Sequence, residues 1–339
     1  MKKSFFEVRM KIIKLILLFS IVLGTLFSCT KDYERVMQGA GADRKTFLVA
    51  GFDDAAENTD VLFLLCYDGE AKQSSVLQIP RDTYYNFGKS QNKINQIYAS
   101  MRAAGNSPKE SLTYLSNGIA KTFGITIDGF VGITTAAFRE TVDAFGGIEI
   151  EMAEDYTYAD ENGENEIHLS KGKNILSGEQ AEIFVRYRKG YVMGDLGRID
   201  AQKLFLNSFF ATVSQNIGVD EVIKVIGIVW REVVTDISLG EIIDFGIKNA
   251  SRLRESKTRY ATLPGEPLEA PGGLWYYVVN KASAERVIRD YIYEDAVFDA
   301  SELLVKKGSA AFENIYYDDG ISYKEYSSDN ISDMHILGN

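Results

Sequence analysis

The sequence predicts an α/β fold with a central mixed, largely antiparallel β-sheet flanked by helices. Three short apolar strands come first, at Thr46–Gly51, Val61–Tyr67 and Ser74–Ile79. Their connections are too short for a parallel crossover, so they should form an antiparallel meander. Helical and strand patterns then alternate along a chain of 339 residues with 45% hydrophobic content, which suffices for a substantial core. No internal repeat or interior linker is visible, which indicates one main domain at residues 46–294.

The first 30 residues predict export and attachment to a membrane. Five basic residues precede the uncharged apolar run Leu15–Phe27, as in an export signal. The segment Leu26–Cys29 resembles the lipobox of a bacterial lipoprotein signal, with Cys29 as the lipidated residue. An uncleaved signal anchor is the alternative, although the run is slightly shorter than the ~20 residues that span a bilayer. Both interpretations place the globular part outside the cytoplasm, behind a polar linker at residues 31–45.

Composition excludes several classes of function. A formal net charge of −11 and a pI near 4.9 argue against nucleic-acid binding, which needs a broad basic surface. The two cysteines, Cys29 and Cys66, imply no disulfide framework. The two histidines, His168 and His335, lie outside every motif described below, so a serine–histidine or cysteine–histidine mechanism is not indicated.

Local signals place the remaining elements. Two helix starts carry capping patterns, Ser107 before Pro108 and Ser177 three residues before Gln180. Helices are predicted at Ile94–Ala104, Pro108–Phe123, Thr135–Phe145, Ser177–Phe184, Ile199–Asn216, Val219–Val234, Ser238–Leu253 and Lys281–Tyr293. Further strands are predicted at Phe130–Ile133, Ile148–Glu151, Lys257–Leu263 and Trp275–Asn280. Residues 153–173 are predicted to be irregular. No function is assigned to the acidic tail at residues 295–339.

The meander gathers charged residues at one edge of the sheet. Asp53 follows the first strand, Asp60 opens the second, and Arg81 and Asp82 follow the third. Two carboxylates suit a hard divalent cation, Mg²⁺ or Mn²⁺, and arginine suits phosphate oxygens. A strand end, a turn cap or a surface ion pair would explain each residue alone. Their shared edge favours a phosphate-ester site.

A second basic stretch, Val185–Lys203, stands out on an acidic chain. It holds Arg186, Arg188, Lys189, Arg198 and Lys203 against Asp195 and Asp200. Local positive charge rich in arginine suggests a bound anion, and a solvated charged face is the alternative. If Arg186–Arg188 is extended, both guanidinium groups point to one side. The glycines around Asp195 lead into the predicted helix near Ile199, a suitable place for an anion.

Four motifs together resemble the LytR-CpsA-Psr family. They are IPRDTY (Ile79–Tyr84), KINQIY (Lys93–Tyr98), VDAFGGIEI (Val142–Ile150) and VRYRKGYVMGDLGRIDAQ (Val185–Gln202). The resemblance implies an extracytoplasmic, membrane-anchored bacterial phosphotransferase. Such an enzyme moves a glycopolymer, for example teichoic acid or capsular polysaccharide, from a polyprenyl-pyrophosphate carrier to peptidoglycan. A pyrophosphatase side activity is also implied.

The resemblance also assigns roles to residues. It implies that Asp53 and Asp60 contact Mg²⁺ and that Asp195 lies near the reacting phosphate, where it is a candidate base. It further implies a set that binds the pyrophosphate substrate, namely Arg81, Arg186, Arg188, Arg198, Lys93 and Gln202. The chain departs from the family where Asn58-Thr59-Asp60 replaces a frequent Arg-Ser-Asp, so one arginine is missing.

A polyprenyl chain needs an apolar tunnel beside the charged site. The predicted helices Ile94–Ala104, Pro108–Phe123 and Ile199–Asn216 could line it, and the alternative is that their apolar faces are ordinary core. Two other functions remain possible from the sequence. A non-catalytic binder of polyprenyl-pyrophosphate lipid is favoured by Asn58, whereas the export signal and the acidic charge argue against a transcriptional attenuator.

Overall fold

The computed structural model describes residues 44–88, 92–159, 166–187, 195–216, 232–270, 273–303 and 325–331. Several predictions lie outside these residues: the N-terminal signal or anchor, most of the linker, Arg188 and most of the helix Val219–Val234. Within the described ranges, no helix combines the length and the apolar character that a membrane crossing requires.

A seven-stranded mixed sheet forms the centre of the molecule, as predicted. Its strands are β1 (Arg44–Phe52), β2 (Thr59–Asp68), β3 (Gln73–Gln78), β4 (Gly129–Ile133), β9 (Val233–Thr235), β10 (Lys257–Thr262) and β13 (Glu325–Ser327). The spatial order is β13-β10-β3-β2-β1-β4-β9. Strands β1 to β3 form the predicted antiparallel meander, while β4 runs parallel to β1 and β10 runs parallel to β3.

Helices cover both faces of this sheet. They are α1 (Asn95–Ala103), α2 (Pro108–Phe123), α3 (Thr135–Ala144), α4 (Gly178–Arg186), α5 (Asp195–Asn216), α6 (Leu239–Glu255) and α7 (Lys281–Tyr291). Side chains alternate across a strand, so Leu48 packs into one core with α1, α2 and α7, whereas Val49 faces the other. That second core contains Phe184 and Phe205 from α4 and α5. The sheet is thus the middle of three layers.

The predicted helix starts are present. Ser107 accepts a hydrogen bond from the Glu110 backbone and forms a capping box, with Pro108 in the first turn. Ser177 forms the same arrangement with Gln180 at the start of α4. Each cap satisfies backbone N–H groups that the helix leaves unpaired, which is typically worth about 1 kcal/mol.

Three predictions about local structure are wrong. Residues 153–173 are not irregular, because they contain β6 (Tyr156–Ala159), β7 (Glu166–Leu169) and the start of β8 (Gly172–Leu176), which pairs with β5 (Ile148–Met152). The end of the predicted helix Val219–Val234 is strand β9. The strand β12 (Trp275–Val279) pairs with β11 (Gly265–Glu269) in a separate hairpin instead of closing the central sheet. The strands β6 and β7 lie in a polar stretch, and their burial against distant residues leaves no clear local pattern.

Part of the acidic C-terminal segment belongs to the sheet. Strand β13 pairs antiparallel with β10, with Tyr326 opposite Tyr260. The side chain of Ile331 is buried in the second core, and the Tyr326 ring lies 5.7 Å from the Lys203 ammonium on α5. This segment therefore packs against α5, the helix that carries Arg198 and Gln202.

Candidate active site

A polar cleft of about 530 Å³ lies at the edge of the sheet where β1 ends and β2 begins. Its lining residues are Asp53, Asp54, Ala55, Asn58, Asp60, Arg81, Asp82, Lys93, Asn95, Gln96 and Arg186. Five predicted site residues meet here: the meander brings Asp53, Asp60 and Arg81 together, and Lys93 and Arg186 join them from outside it.

Asp53 is held in place by the loop that it opens. Its Oδ1 accepts hydrogen bonds from the backbone N–H groups of Glu57 (2.8 Å) and Asn58 (3.2 Å), and its Oδ2 accepts one from the Asn58 side chain (2.8 Å). Within the loop, Ala56 has a φ of 53° and its carbonyl accepts a hydrogen bond from the Tyr98 hydroxyl at 3.1 Å. A non-glycine residue in this left-handed conformation needs such support from its surroundings.

The opposite wall carries a chain of alternating charges. Arg81 forms an ion pair with Asp60, and Lys93 donates to Asp82 at 2.7 Å. The Nε of Arg81 is buried and has no hydrogen-bond partner among the described residues. Although burial disfavours its charge, the pKa of Arg81 is raised, because the carboxylates of Asp60, Asp195 and Asp82 surround it.

Arg186 reaches the cleft from the last turn of α4. It donates to Asp54 at 2.6 Å and to Glu182, one helical turn earlier, at 3.1 Å. The hydrogen bond from Arg186 lowers the pKa of Asp54 below its ordinary value. The condition of an extended Arg186–Arg188 segment is not met at Arg186, because Arg186 is the last residue of a helix that begins after the Ser177 cap.

The first turns of α5 place three further predicted residues behind the cleft. Arg198 is buried, forms an ion pair with Asp195 (2.8 Å) and donates to the Asp60 carbonyl (3.4 Å). Gln202 is also buried, where it donates to the Val185 carbonyl (3.0 Å) and accepts from Gln78. Asp195 does not line the polar cleft.

An apolar cavity of about 150 Å³ adjoins the polar cleft. Asp60 and Arg186 line both spaces. The remaining walls come from β1, β2, α3, α4 and α5, with Phe63, Phe138 and Phe205 among the lining residues. Of the three helices that could line a tunnel, only α5 borders this cavity. The apolar residues of α1 and α2 belong to the core on the other face of the sheet, as the alternative interpretation stated.

Asp53 and Asp60 carry the carboxylate oxygens that a divalent cation prefers, and both line the same cleft. Mg²⁺ prefers oxygen ligands and commonly combines one or two carboxylates with substrate phosphate oxygens and water. Within the described ranges, no cluster of three or more His, Cys, Asp and Glu side chains could hold a metal ion by itself. A cation between Asp53 and Asp60 would therefore depend on substrate oxygens and water to complete its coordination.

Several site residues were missed by the sequence reasoning. Asp54 and Glu182 hold Arg186, and Asn95 and Gln96 line the cleft from the start of α1. Two of them had a sequence signal. Glu182 precedes Arg186 by four residues on a helix, and Asn95 lies two residues after Lys93 in KINQIY.

Comparisons with known proteins agree with this architecture. A sequence model described as the LytR_cpsA_psr family matches residues 28–291. The chain is 26% identical, over 250 residues, to the polyisoprenyl-teichoic acid–peptidoglycan teichoic acid transferase TagU of Oceanobacillus iheyensis. The match covers 72% of this chain and 74% of that protein.

Solved structures share the fold. The gbs0355 protein of Streptococcus agalactiae matches with a TM-score of 0.66 at 17% identity, over 81% of this chain and 96% of that one. TagT bound to LIIa-WTA matches with a TM-score of 0.60 at 21% identity, over 78% of this chain and 96% of that one.

Proposed function

Because the chain belongs to the LytR-CpsA-Psr family, we propose that it is a phosphotransferase acting on a polyprenyl-pyrophosphate-linked glycopolymer. It transfers the polymer, a teichoic acid or another wall or capsular polysaccharide, to peptidoglycan. One observation carries this proposal: a cleft lined by Arg81, Arg186, Asp53 and Asp60 opens beside an apolar cavity that shares Asp60 and Arg186 with it. A charged head group and an apolar tail need such a pair of adjoining spaces.

The arginines bind the pyrophosphate. In the free protein, Arg81 and Arg186 pair with Asp60, Asp54 and Glu182, so their charges are already held at the cleft. Phosphate oxygens would replace some of these carboxylates and would also give the buried Nε of Arg81 an acceptor. Arg198, buried behind Asp60, adds positive charge, and Lys93 adds a further donor. For Arg188, the family resemblance implies the same role, binding of the pyrophosphate.

A Mg²⁺ or Mn²⁺ ion held by Asp53 and Asp60 would neutralise part of the negative charge of the pyrophosphate, so that a hydroxyl group could approach. The chain's own contribution is to hold both carboxylates at the cleft before substrate arrives. Three hydrogen bonds fix Asp53, while the ion pair with Arg81 orients Asp60.

The transfer step exchanges one P–O bond for another. A hydroxyl of peptidoglycan attacks the phosphorus that carries the glycopolymer, the bond to the bridging oxygen breaks, and polyprenyl phosphate leaves with the electron pair. The family resemblance implies Asp195 as the acceptor of the hydroxyl proton; its carboxylate lies behind the cleft, paired with Arg198 at 2.8 Å, and its charge contributes to the raised pKa of Arg81. Water in place of the sugar hydroxyl would give a pyrophosphatase side reaction.

We place the protein at the extracytoplasmic face of a bacterial membrane. The basic and apolar character of residues 1–30 supports this location, either as a lipoprotein or as a signal anchor. The apolar cavity is consistent with a substrate drawn from a membrane.

A transfer assay tests the proposed function. Full-length protein in detergent is incubated with Mg²⁺, peptidoglycan fragments and a polyprenyl-pyrophosphate lipid whose glycan is radiolabelled. We expect the label to become covalently attached to peptidoglycan, with release of polyprenyl phosphate.

A non-catalytic lipid binder is the second candidate, and the Asn58 side chain favours it. Asn58 supplies no charge, and its amide is occupied by Asp53. Tight lipid binding without transfer or hydrolysis would select this function.

A further inference from the structure

The hairpin of β11 and β12 exposes two consecutive large apolar side chains to solvent. Trp275, the first residue of β12, is 53% exposed, and the preceding Leu274 is 40% exposed. Tryptophan is highly buried on average, because its large apolar surface is costly to leave in water. Single exposed apolar side chains are normal, whereas neighbouring ones beside a substrate site indicate an interaction surface.

The hairpin is joined directly to the wall of the polar cleft. The backbone N–H of Tyr277 donates to the Asp82 carbonyl over 2.9 Å. The Lys93 ammonium lies 5.5 Å from the centroid of the Tyr276 ring. Asp82 and Lys93 both line the cleft. Trp275 therefore begins a strand whose next two residues contact the cleft wall, a distance of about 7 Å along the chain.

The surroundings of Trp275 suit a sugar. Side chains alternate along a strand, so Trp275 points to the face of the hairpin opposite Tyr276. Its cross-strand partner is Glu269 on β11, an exposed residue whose side chain shares that face. An indole ring packs against the C–H groups of a sugar, and a carboxylate accepts hydrogen bonds from sugar hydroxyl and N–H groups. The pair thus offers the apolar and the polar contact that a sugar ring needs.

Charge separates the molecules that could bind to this face. A teichoic acid and an anionic membrane surface both carry phosphate, which the Glu269 carboxylate and the net charge of −11 repel. The glycan strands of peptidoglycan consist of N-acetylated sugars without phosphate. Peptidoglycan is also the second substrate of the proposed reaction. Because its strands are longer than the cleft, sugars next to the reacting one must lie on the surrounding surface.

Resting on the proposed function, we propose that Trp275 and Glu269 bind the glycan strand of the peptidoglycan acceptor. Trp275 stacks against one sugar, and Glu269 accepts hydrogen bonds from the same sugar or from its neighbour. The strand continues from there past Asp82 and Lys93 into the cleft. The sugar on Trp275 is therefore a different one from the sugar whose hydroxyl reacts.

Equilibrium binding tests this surface without catalysis. The probe is an octasaccharide fragment of peptidoglycan, and the full-length protein is measured in detergent without lipid donor. Trp275→Ala should weaken octasaccharide binding roughly 2- to 10-fold, as expected for the loss of one stacking contact. Glu269→Ala should also weaken binding, whereas Glu269→Gln keeps an acceptor oxygen and should stay within about twofold of the wild type.

A matched control and the donor lipid show whether the effect is specific. Tyr114 on α2 is 55% exposed, and Tyr114→Ala should leave octasaccharide binding unchanged. Trp275→Ala should keep the wild-type Tm, because its side chain is half exposed, and should keep the affinity for the teichoic acid-bearing lipid within about twofold. A larger loss of donor affinity than of acceptor affinity would assign the hairpin to the donor and overturn the proposal.

Transfer kinetics with acceptors of two lengths complete the test. A disaccharide acceptor fills the cleft but does not reach Trp275, so the wild type should have a lower KM for the octasaccharide. Trp275→Ala should raise only the octasaccharide KM and leave kcat unchanged, whereas a structural defect would change both acceptors alike.

The proposal is overturned by unchanged octasaccharide binding in Trp275→Ala, by an equal loss in Tyr114→Ala, or by equal wild-type KM values for the two acceptors. A loss of activity that appears in vesicles and not in detergent would assign the hairpin to the membrane and also overturn it. If the wild type transfers no label to either acceptor while octasaccharide binding still depends on Trp275, the proposed function fails and the glycan-binding surface stands.

Discussion

The side-chain amide of Asn58 donates a hydrogen bond to Oδ2 of Asp53 over 2.8 Å. Members of the family that the chain resembles often carry an arginine at this position. Here the residue fixes a carboxylate instead of supplying a positive charge. The backbone N–H groups of Glu57 and Asn58 hold the other oxygen. The Asn58 side chain therefore contributes a hydrogen bond to Asp53 and no charge to the cleft.

The first prediction concerns the side chain at position 58. Asn58→Arg should restore a cation at the cleft, and we expect it to raise the rate of transfer with a labelled lipid donor. Asn58→Ala should lower that rate, because Asp53 loses one of its three hydrogen bonds; a contact to a charged group is worth about 1.5–3 kcal/mol. An unchanged rate in both variants would show that residue 58 does not influence the reaction.

The second prediction tests Arg186 against a matched arginine. Arg186 and Arg289 both lie near the C-terminal ends of helices and pair with a glutamate four residues earlier. Arg186→Ala should weaken lipid binding about tenfold or more, because it removes a charge-assisted contact to the pyrophosphate. Arg289→Ala should change the affinity by less than twofold, since Arg289 does not line the cleft. Equal losses would contradict the assignment of Arg186.

The third prediction concerns the metal. Transfer should require a divalent cation, so addition of EDTA should abolish it and Mg²⁺ in excess should restore it. Asp60→Ala should be as inactive as the EDTA-treated wild type, and added Mg²⁺ should not restore it. Full activity of the wild type in EDTA would exclude the proposed role of Asp53 and Asp60 as metal ligands.

The fourth prediction is a pH dependence at Asp54. The hydrogen bond from Arg186 lowers the pKa of Asp54 from an ordinary value of 3.8. A lowered folded pKa contributes stability above the unfolded pKa, and this contribution is lost as the pH falls through the folded value. Asp54 is 71% exposed, so the contribution is under about 1 kcal/mol.

This contribution to stability is measured by urea unfolding of the wild type and of Asp54→Asn, at pH 7 and near pH 2. The wild type should be the more stable protein at pH 7, and the difference should shrink at the lower pH. A difference that stays constant between the two pH values would show that the Arg186 contact does not stabilise ionised Asp54.

The fifth prediction concerns the C-terminal strand. Ile331 is 2% exposed and packs into the second core, beyond the region that matches the family. Ile331→Ala should lower the free energy of unfolding by about 2 kcal/mol, measured by chemical denaturation. The control is Ile175→Ala, whose side chain is 67% exposed and which should cost less than about 0.5 kcal/mol. Similar values for the two variants would mean that residues 325–331 do not contribute to the fold.

Much of the fold could be predicted because its signals are local. The order of β1 to β3 follows from connections too short for a crossover, and the starts of α2 and α4 follow from Ser107 and Ser177. The hairpin of β6 and β7 was missed because both strands lie in a stretch rich in polar residues. Its stability comes from the burial of Tyr158 and Leu169 against distant residues such as Phe184, which no local pattern shows.

The sequence by itself determined the family, the meander and therefore the meeting of Asp53, Asp60 and Arg81 at one edge, because connectivity alone brings strand ends together. Tertiary structure decided the rest. It placed Arg186 at a helix end beside Asp54, and it put the apolar cavity on the face that α4 and α5 cover. These features depend on which sheet face each helix covers and on how side chains from distant segments pair, and neither is encoded in the spacing of residues along the chain.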